Sequence, residues 1–162
     1  MSVQLSAHVR EEIDRWVAKF PPDRKRSAVI SALHAAQHEN NGFLTSDLMD
    51  AVAAYLGLAP IQVYEVATFY SMFETKPVGR HHISVCTNIS CMLRGGEEIL
   101  EHCEQRLGIG HKQTTPDGVF SLEEVECIGA CSWAPAVQVN YDFHENLTAE
   151  KMDGVLDGYR KK

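Results

Sequence analysis

All five cysteines of this 162-residue chain fall in its second half, and four of them form two close pairs. Cys86 and Cys91 read C-x4-C in CTNISC, and Cys127 and Cys131 read C-x3-C in CIGAC. Thiolates at such short spacings are the ligands of iron–sulfur clusters and of structural zinc. Cys103, in EHCEQRL, has no partner at ligand spacing and reads as a structural residue inside a helix. An odd cysteine count fits poorly with a disulfide framework, and in a reducing compartment disulfides are rare. Dithiol exchange calls for a C-x-x-C at a helix start, and the chain has none. Two readings of Cys86, Cys91, Cys127 and Cys131 stay open on spacing alone. One is a single [2Fe–2S] cluster in an electron-transfer subunit. The other is a zinc-stabilised interaction module with no redox role.

The four thiols need elements that bring them together. His82–Thr87 is short and β-branched and reads as a strand ending at Cys86. Pro116-Asp117-Gly118 is a turn, and Val119–Val125 reads as a strand ending just before Cys127. Gly95–Leu107 between them is a helix stopped by Gly108. If the two strands lie side by side and end at one edge, their loops deliver four thiolates to one point. Gly129, Ala130 and Ser132 in one loop and Ser90 in the other make tight turns and allow backbone N–H groups to approach sulfur. Ala136–Asn140 adds a strand, and Asp142–Asn146 a short strand or turn. Thr148 caps a last helix to about Arg160, weakened by Gly154 and Gly158.

The first half reads as four helices. Ser6 caps the first, with Val9, Ile13, Trp16, Val17 and Phe20 at helical spacing before Pro21-Pro22. The second runs from about Ser27 to Glu39 and closes at Asn40-Asn41-Gly42. The third starts near Thr45 or Ser46 and stops at Gly57. The fourth opens on Pro60 and carries Val63, Val66, Tyr70 and Phe73. The architecture expected is α+β: an N-terminal four-helix bundle over 1–76, then an α/β domain with a mixed sheet over 77–162.

Net charge is −7, and all but one unit of it falls in residues 81–162, which argues against a nucleic-acid partner. No stretch approaches the ~20 apolar residues that span a bilayer, and the N-terminus lacks an apolar signal core, so a cytoplasmic or membrane-peripheral location is expected without direct insertion. No dinucleotide fingerprint, P-loop, zinc-protease or serine-nucleophile motif occurs, so no catalytic residues are assigned. His81 and His82 read as exposed strand-start residues rather than cluster ligands. Glu123, Glu124 and Glu126 precede Cys127, and a carboxylate ~6 Å from a cluster disfavours its reduction by ~3 kcal/mol at an effective dielectric of ~20.

Several segments, in order, resemble one family: RKRSAVISALHAAQHENNGFLT (24–45), VYEVATFYSMF (63–73), PVGRHHISVC (77–86), TTPDGVFSLEEVECIGAC (114–131), Ala134-Pro135 and Val139-Asn140. The chain is similar to the thioredoxin-like [2Fe–2S] subunit of bacterial NADH:quinone oxidoreductase, respiratory complex I, where it is the E subunit. The resemblance implies a thioredoxin-like second domain and one [2Fe–2S] cluster on Cys86, Cys91, Cys127 and Cys131. It also implies a flavoprotein partner that holds FMN, the NADH site and a [4Fe–4S] cluster. There the [2Fe–2S] centre exchanges electrons with the flavin off the main path to quinone. The same kind of subunit serves NAD-linked hydrogenases and formate dehydrogenases. Gly95-Gly96 and Ile128 depart slightly from the family pattern. Val66, Phe69, Tyr70 and Phe73 are candidates for docking the flavoprotein, with at least half of them expected in the helices' own core.

Overall fold

Local sequence sets the helix starts. Ser6 Oγ accepts from the Val9 N–H at 3.1 Å, Thr45 Oγ1 from Leu48 at 3.2 Å and Thr148 Oγ1 from Lys151 at 3.3 Å, each satisfying a donor the helix itself leaves unpaired. In the computed structural model, which describes residues 3–161, these caps open α1 (Ala7–Val17), α3 (Ser46–Leu56) and α7 (Ala149–Arg160). A single 3₁₀ turn, Lys25–Ala28, leads into α2 (Val29–Glu39), and Pro60 opens α4 (Pro60–Phe69). The chain divides into two compact units, one ending at Pro77 and the other starting at Val78.

In the first unit, α1 to α4 share one apolar core. Ile13 from α1, Leu33 from α2, Val52 from α3 and Val63 from α4 are completely buried in it. Two expected extents are corrected here: α1 ends at Val17, short of Phe20, and α4 ends short of Tyr70 and Phe73. Trp16 lies off the buried face of α1, 37% exposed, with the Lys19 ammonium 3.4 Å from its ring centroid. α4 stops at Phe69, so Tyr70 and Phe73 are not on it. The cause is Gln37, a buried amide that donates to the Met72 carbonyl at 3.0 Å and accepts from the Glu74 N–H at 2.8 Å. This holds 72–74 against α2 and inserts Phe73 into the core beside His34, ring centroids 5.0 Å apart. Of the four docking candidates, Phe73 is buried, Val66 packs on the core, and Phe69 and Tyr70 are exposed.

The second unit is built on a five-stranded mixed sheet in the order β2-β3-β1-β4-β5. β1 (His81–Cys86) and β3 (Phe120–Val125) are parallel neighbours, in register from His81 opposite Phe120 to Cys86 opposite Val125. β4 (Val137–Val139) pairs antiparallel with β1, while β2 (Gln113–Thr114) and β5 (Asp142–His144) are short antiparallel edges. A parallel pair cannot be joined by a hairpin; it needs a crossover. That crossover holds a one-turn helix, α5 (Ile89–Met92), and α6 (Gly96–Leu107). Ile83, Val85, Phe120 and Leu122 from the central strands meet Ile99 and Cys103 of α6 and Met152, Leu156 and Tyr159 of α7.

α5 has no counterpart among the expected elements; four residues are too few for a helical period. Gly154 and Gly158 do not interrupt α7, because packing of Met152, Leu156 and Tyr159 outweighs their poor propensity. His81 is buried rather than exposed, since its ring lies 5.0 Å from that of Tyr159 and 5.8 Å from that of Phe120.

Phe120 is the largest fully buried side chain of the second unit among the described residues. Phe120→Ala should lower unfolding free energy by about 3–5 kcal/mol in chemical denaturation. A loss below about 1 kcal/mol would show that the core is organised differently.

Candidate metal centre

The parallel register decides where the cysteines go. β1 and β3 run in the same direction and end level, so the loops leaving them share one edge of the sheet. Cys86 is the last residue of β1, and Cys127 follows β3 by two residues. Cys91 lies in α5, and Cys131 opens a second 3₁₀ turn, Cys131–Trp133. Cys86 and Cys91 are buried together with Ala130, Ala134 and Ala136, and Ile128 packs on this cluster. Cys127 and Cys131 are exposed. The site therefore has two sulfurs on a dry floor and two on an open side.

Several bonds tie the loops. The Cys86 N–H donates to the Ala136 carbonyl at 3.3 Å, and the Thr87 N–H to Val125 at 3.4 Å. The Thr87 hydroxyl donates to Glu124 at 2.7 Å, and the Cys86 thiol lies 3.9 Å from the Glu126 carbonyl, one residue before Cys127. Gly129, at φ +77°, makes a turn that L side chains avoid, and its N–H donates to Cys127 Sγ at 3.3 Å. The flanking small residues thus supply both a turn and an N–H aimed at sulfur.

Gly96 packs tightly against both ligand segments. A β-carbon there would sit 2.8 Å from the Cys86 carbonyl oxygen and 2.9 Å from the Cys91 carbonyl, both backbone atoms. The start of α6 can pass behind both ligand segments only without a side chain.

The thiol chemistry suits a cationic guest. Burial, with the neighbouring Cys86 and Cys131 adding to it, pushes Cys91 up to about 11 against a lowering bond from the Ala136 backbone. Four thiolates brought to one point would need positive charge between them. Cys103, with no sulfur partner, is completely buried in α6 and pushed up to about 12, chiefly by burial and then by Asp153 and Glu104. A four-cysteine donor set fits an iron–sulfur group, and on donors alone it fits zinc.

The acidic residues before Cys127 divide. Glu123 is buried and bonded to His82 Nε2 at 2.9 Å and to the Lys112 ammonium. Burial works to raise its carboxyl, but the bonds to His82 and Lys112 prevail and hold it below the usual carboxylate range. The Glu124 carboxylate turns to Thr87 and its backbone N–H donates to His111, while Glu126 is exposed. The sequence offered no signal for the exposed apolar side chains beside the cysteines: Ile89 is 66% exposed and Leu93 75%, flanking Cys91, and Trp133 53%, two residues after Cys131.

The chain belongs to the thioredoxin-like [2Fe-2S] ferredoxin family, whose model matches residues 13–160. Among curated relatives, it is 47% identical over 152 residues to the second E subunit of the NADH-quinone oxidoreductases of Rhizobium meliloti, covering 94% of this chain and 89% of that one. It is 47% identical over 144 residues to the NADH-quinone oxidoreductase E subunit of Rickettsia bellii, covering 89% and 86%. The family resemblance read from the sequence is confirmed at that level. A chain of an NAD+-reducing [NiFe]-hydrogenase in the air-oxidized state shares the fold, with TM-score 0.68 and 23% identity over 80% of this chain and 23% of that one. The family match runs through both units, and the sheet of the second is mixed as expected. Among the described residues no helix is long and apolar enough to cross a membrane.

Gly96→Ala should cut iron retained per chain to a small fraction of wild type while the second unit still unfolds cooperatively. Full iron content in that variant would contradict the close packing. Glu123 makes a separate, pH-dependent contribution. Its carboxyl is lower folded than unfolded, so it stabilises the fold above the unfolded value, and that gain is lost as pH falls through the folded one. Glu123→Gln should therefore lose less stability than wild type between about pH 5 and pH 3. Parallel acid-unfolding curves would contradict this.

Proposed function

We propose that the chain is the electron-transfer subunit of the NADH dehydrogenase module of an NADH:quinone oxidoreductase, with one [2Fe–2S] cluster on Cys86, Cys91, Cys127 and Cys131. The observation that supports the reading is the level ending of β1 and β3, which sets all four cysteines at the end of β1 or on segments following those two strands in a chain of the [2Fe-2S] family. Such a cluster takes up and returns one electron at a time. The chain's own part is to hold four thiolates in a fixed array, keep water from the Cys86–Cys91 side and leave the Cys127–Cys131 side open to a donor.

The partner proposed is the flavoprotein that carries FMN, the NADH site and a [4Fe–4S] cluster, within a larger complex peripheral to the cytoplasmic membrane face. The exposed Ile89, Leu93 and Trp133 support this, because they put apolar surface suited to a protein partner on the segments that carry Cys91 and Cys131. In this reading residues 1–76 are a four-helix bundle domain and 77–162 the cluster domain. An equivalent place in an NAD-linked hydrogenase or formate dehydrogenase has weaker support, since the hydrogenase likeness bears on fold alone.

Metal analysis of anaerobically purified chain separates the redox reading from the zinc one. The expected result is a red-brown protein with about two irons per chain and an EPR signal that appears on strong reduction. A colourless protein with one zinc would overturn it. Cys127→Ser should abolish or badly destabilise the cluster, whereas Cys103→Ala should leave its spectrum intact. The reverse pattern would show the ligand assignment to be wrong.

A further inference from the structure

The strand ladder ends at Cys86 opposite Val125, so Cys91 and Cys131 both lie beyond its reach. Arg94 spans that gap. Its N–H donates to the Cys91 carbonyl at 3.0 Å, which roots it in the Cys91 turn. Its side-chain Nε donates at 2.8 Å to the carbonyl of Ala134. Ala134 follows Cys131 by three residues, as Arg94 follows Cys91. The accepting carbonyl belongs to a residue only 1% exposed, and a buried carbonyl left without a donor is costly. A neutral donor would meet that need; a guanidinium also brings a fixed positive charge to the junction of the two ligand loops.

Resting on the cluster reading above, we propose that Arg94 is a positioning residue for the group held by the four cysteines. Its side chain fastens the Cys91 turn to the Cys131 turn, and its charge favours the more negative, reduced state of the bound group. A four-thiolate [2Fe–2S] centre is already anionic when oxidised and gains one further negative charge on reduction, so a permanent cation at the loop junction acts more on the reduced form.

Two variants of the full-length, iron-loaded chain separate latch from charge. Arg94→Gln keeps an amide donor but removes the charge; Arg94→Lys keeps the charge but loses the planar Nε donor. Circular dichroism melting verifies that each is folded. Midpoint potential by EPR-monitored titration and the rate of iron loss to a chelator are then compared with wild type. Arg94→Gln should have a more negative potential and lose iron several-fold faster. Arg94→Lys should restore the potential while still losing iron faster than wild type. Wild-type potential and wild-type iron loss in both variants would overturn the proposal. Faster loss at unchanged potential in Arg94→Gln would also overturn it, leaving Arg94 a merely structural surface contact. Wild-type chain that holds no iron would instead overturn the cluster reading itself.

Discussion

The second unit depends on the parallel pairing of β1 with β3. Antiparallel strands would send their ends to opposite edges of the sheet and separate Cys86 from Cys127 by the length of a strand. Parallel strands in register bring Cys86 level with Val125, and the loops that follow lie side by side. The pairing also requires a crossover, and the crossover is put to use. It carries Cys91 on α5, then passes Gly96 behind the backbone of Cys86 and Cys91 before α6 covers the core. One topological choice thus produces both the hydrophobic core and the cysteine array.

Electrostatics explains why the array is shaped as it is. Burial drives Cys91 and Cys103 in the same direction, toward the neutral thiol. Only Cys91 has a backbone N–H bond that favours the charged form, and only Cys91 has sulfur neighbours with which to share a cation. Two buried cysteines therefore differ in what they can do, and surroundings rather than exposure separate ligand from core residue. The carboxylates before Cys127 are likewise sorted by partner. Glu123, the buried one, is paired with the Lys112 ammonium and bonded to His82, so part of the negative charge the sequence places before Cys127 is cancelled in the fold.

Features governed by near neighbours in sequence were legible. Ser6, Thr45, Thr148 and Pro60 open helices where capping chemistry says they should, and Pro116-Asp117-Gly118 turns the chain into β3. The two cysteine pairs were equally plain, although spacing alone left zinc and iron–sulfur level; the match of many segments to one family, not the thiols, separated them. What escaped depends on distant partners. Gln37 ends α4 by bonding to 72–74, Tyr159 and Phe120 draw His81 inward, and Arg94 reaches Ala134 across 40 residues. No local pattern encodes such contacts, because each exists only once the strands or helices have paired.

The central claim is that loops after β1 and β3 together hold one binuclear cluster. Anomalous diffraction at the iron edge from crystals of anaerobically prepared protein tests it most directly. The account predicts two adjacent iron peaks between those loops, with Cys86, Cys91, Cys127 and Cys131 as the four protein ligands. A single metal peak, or iron held elsewhere with any of these four sulfurs unbound, would contradict it.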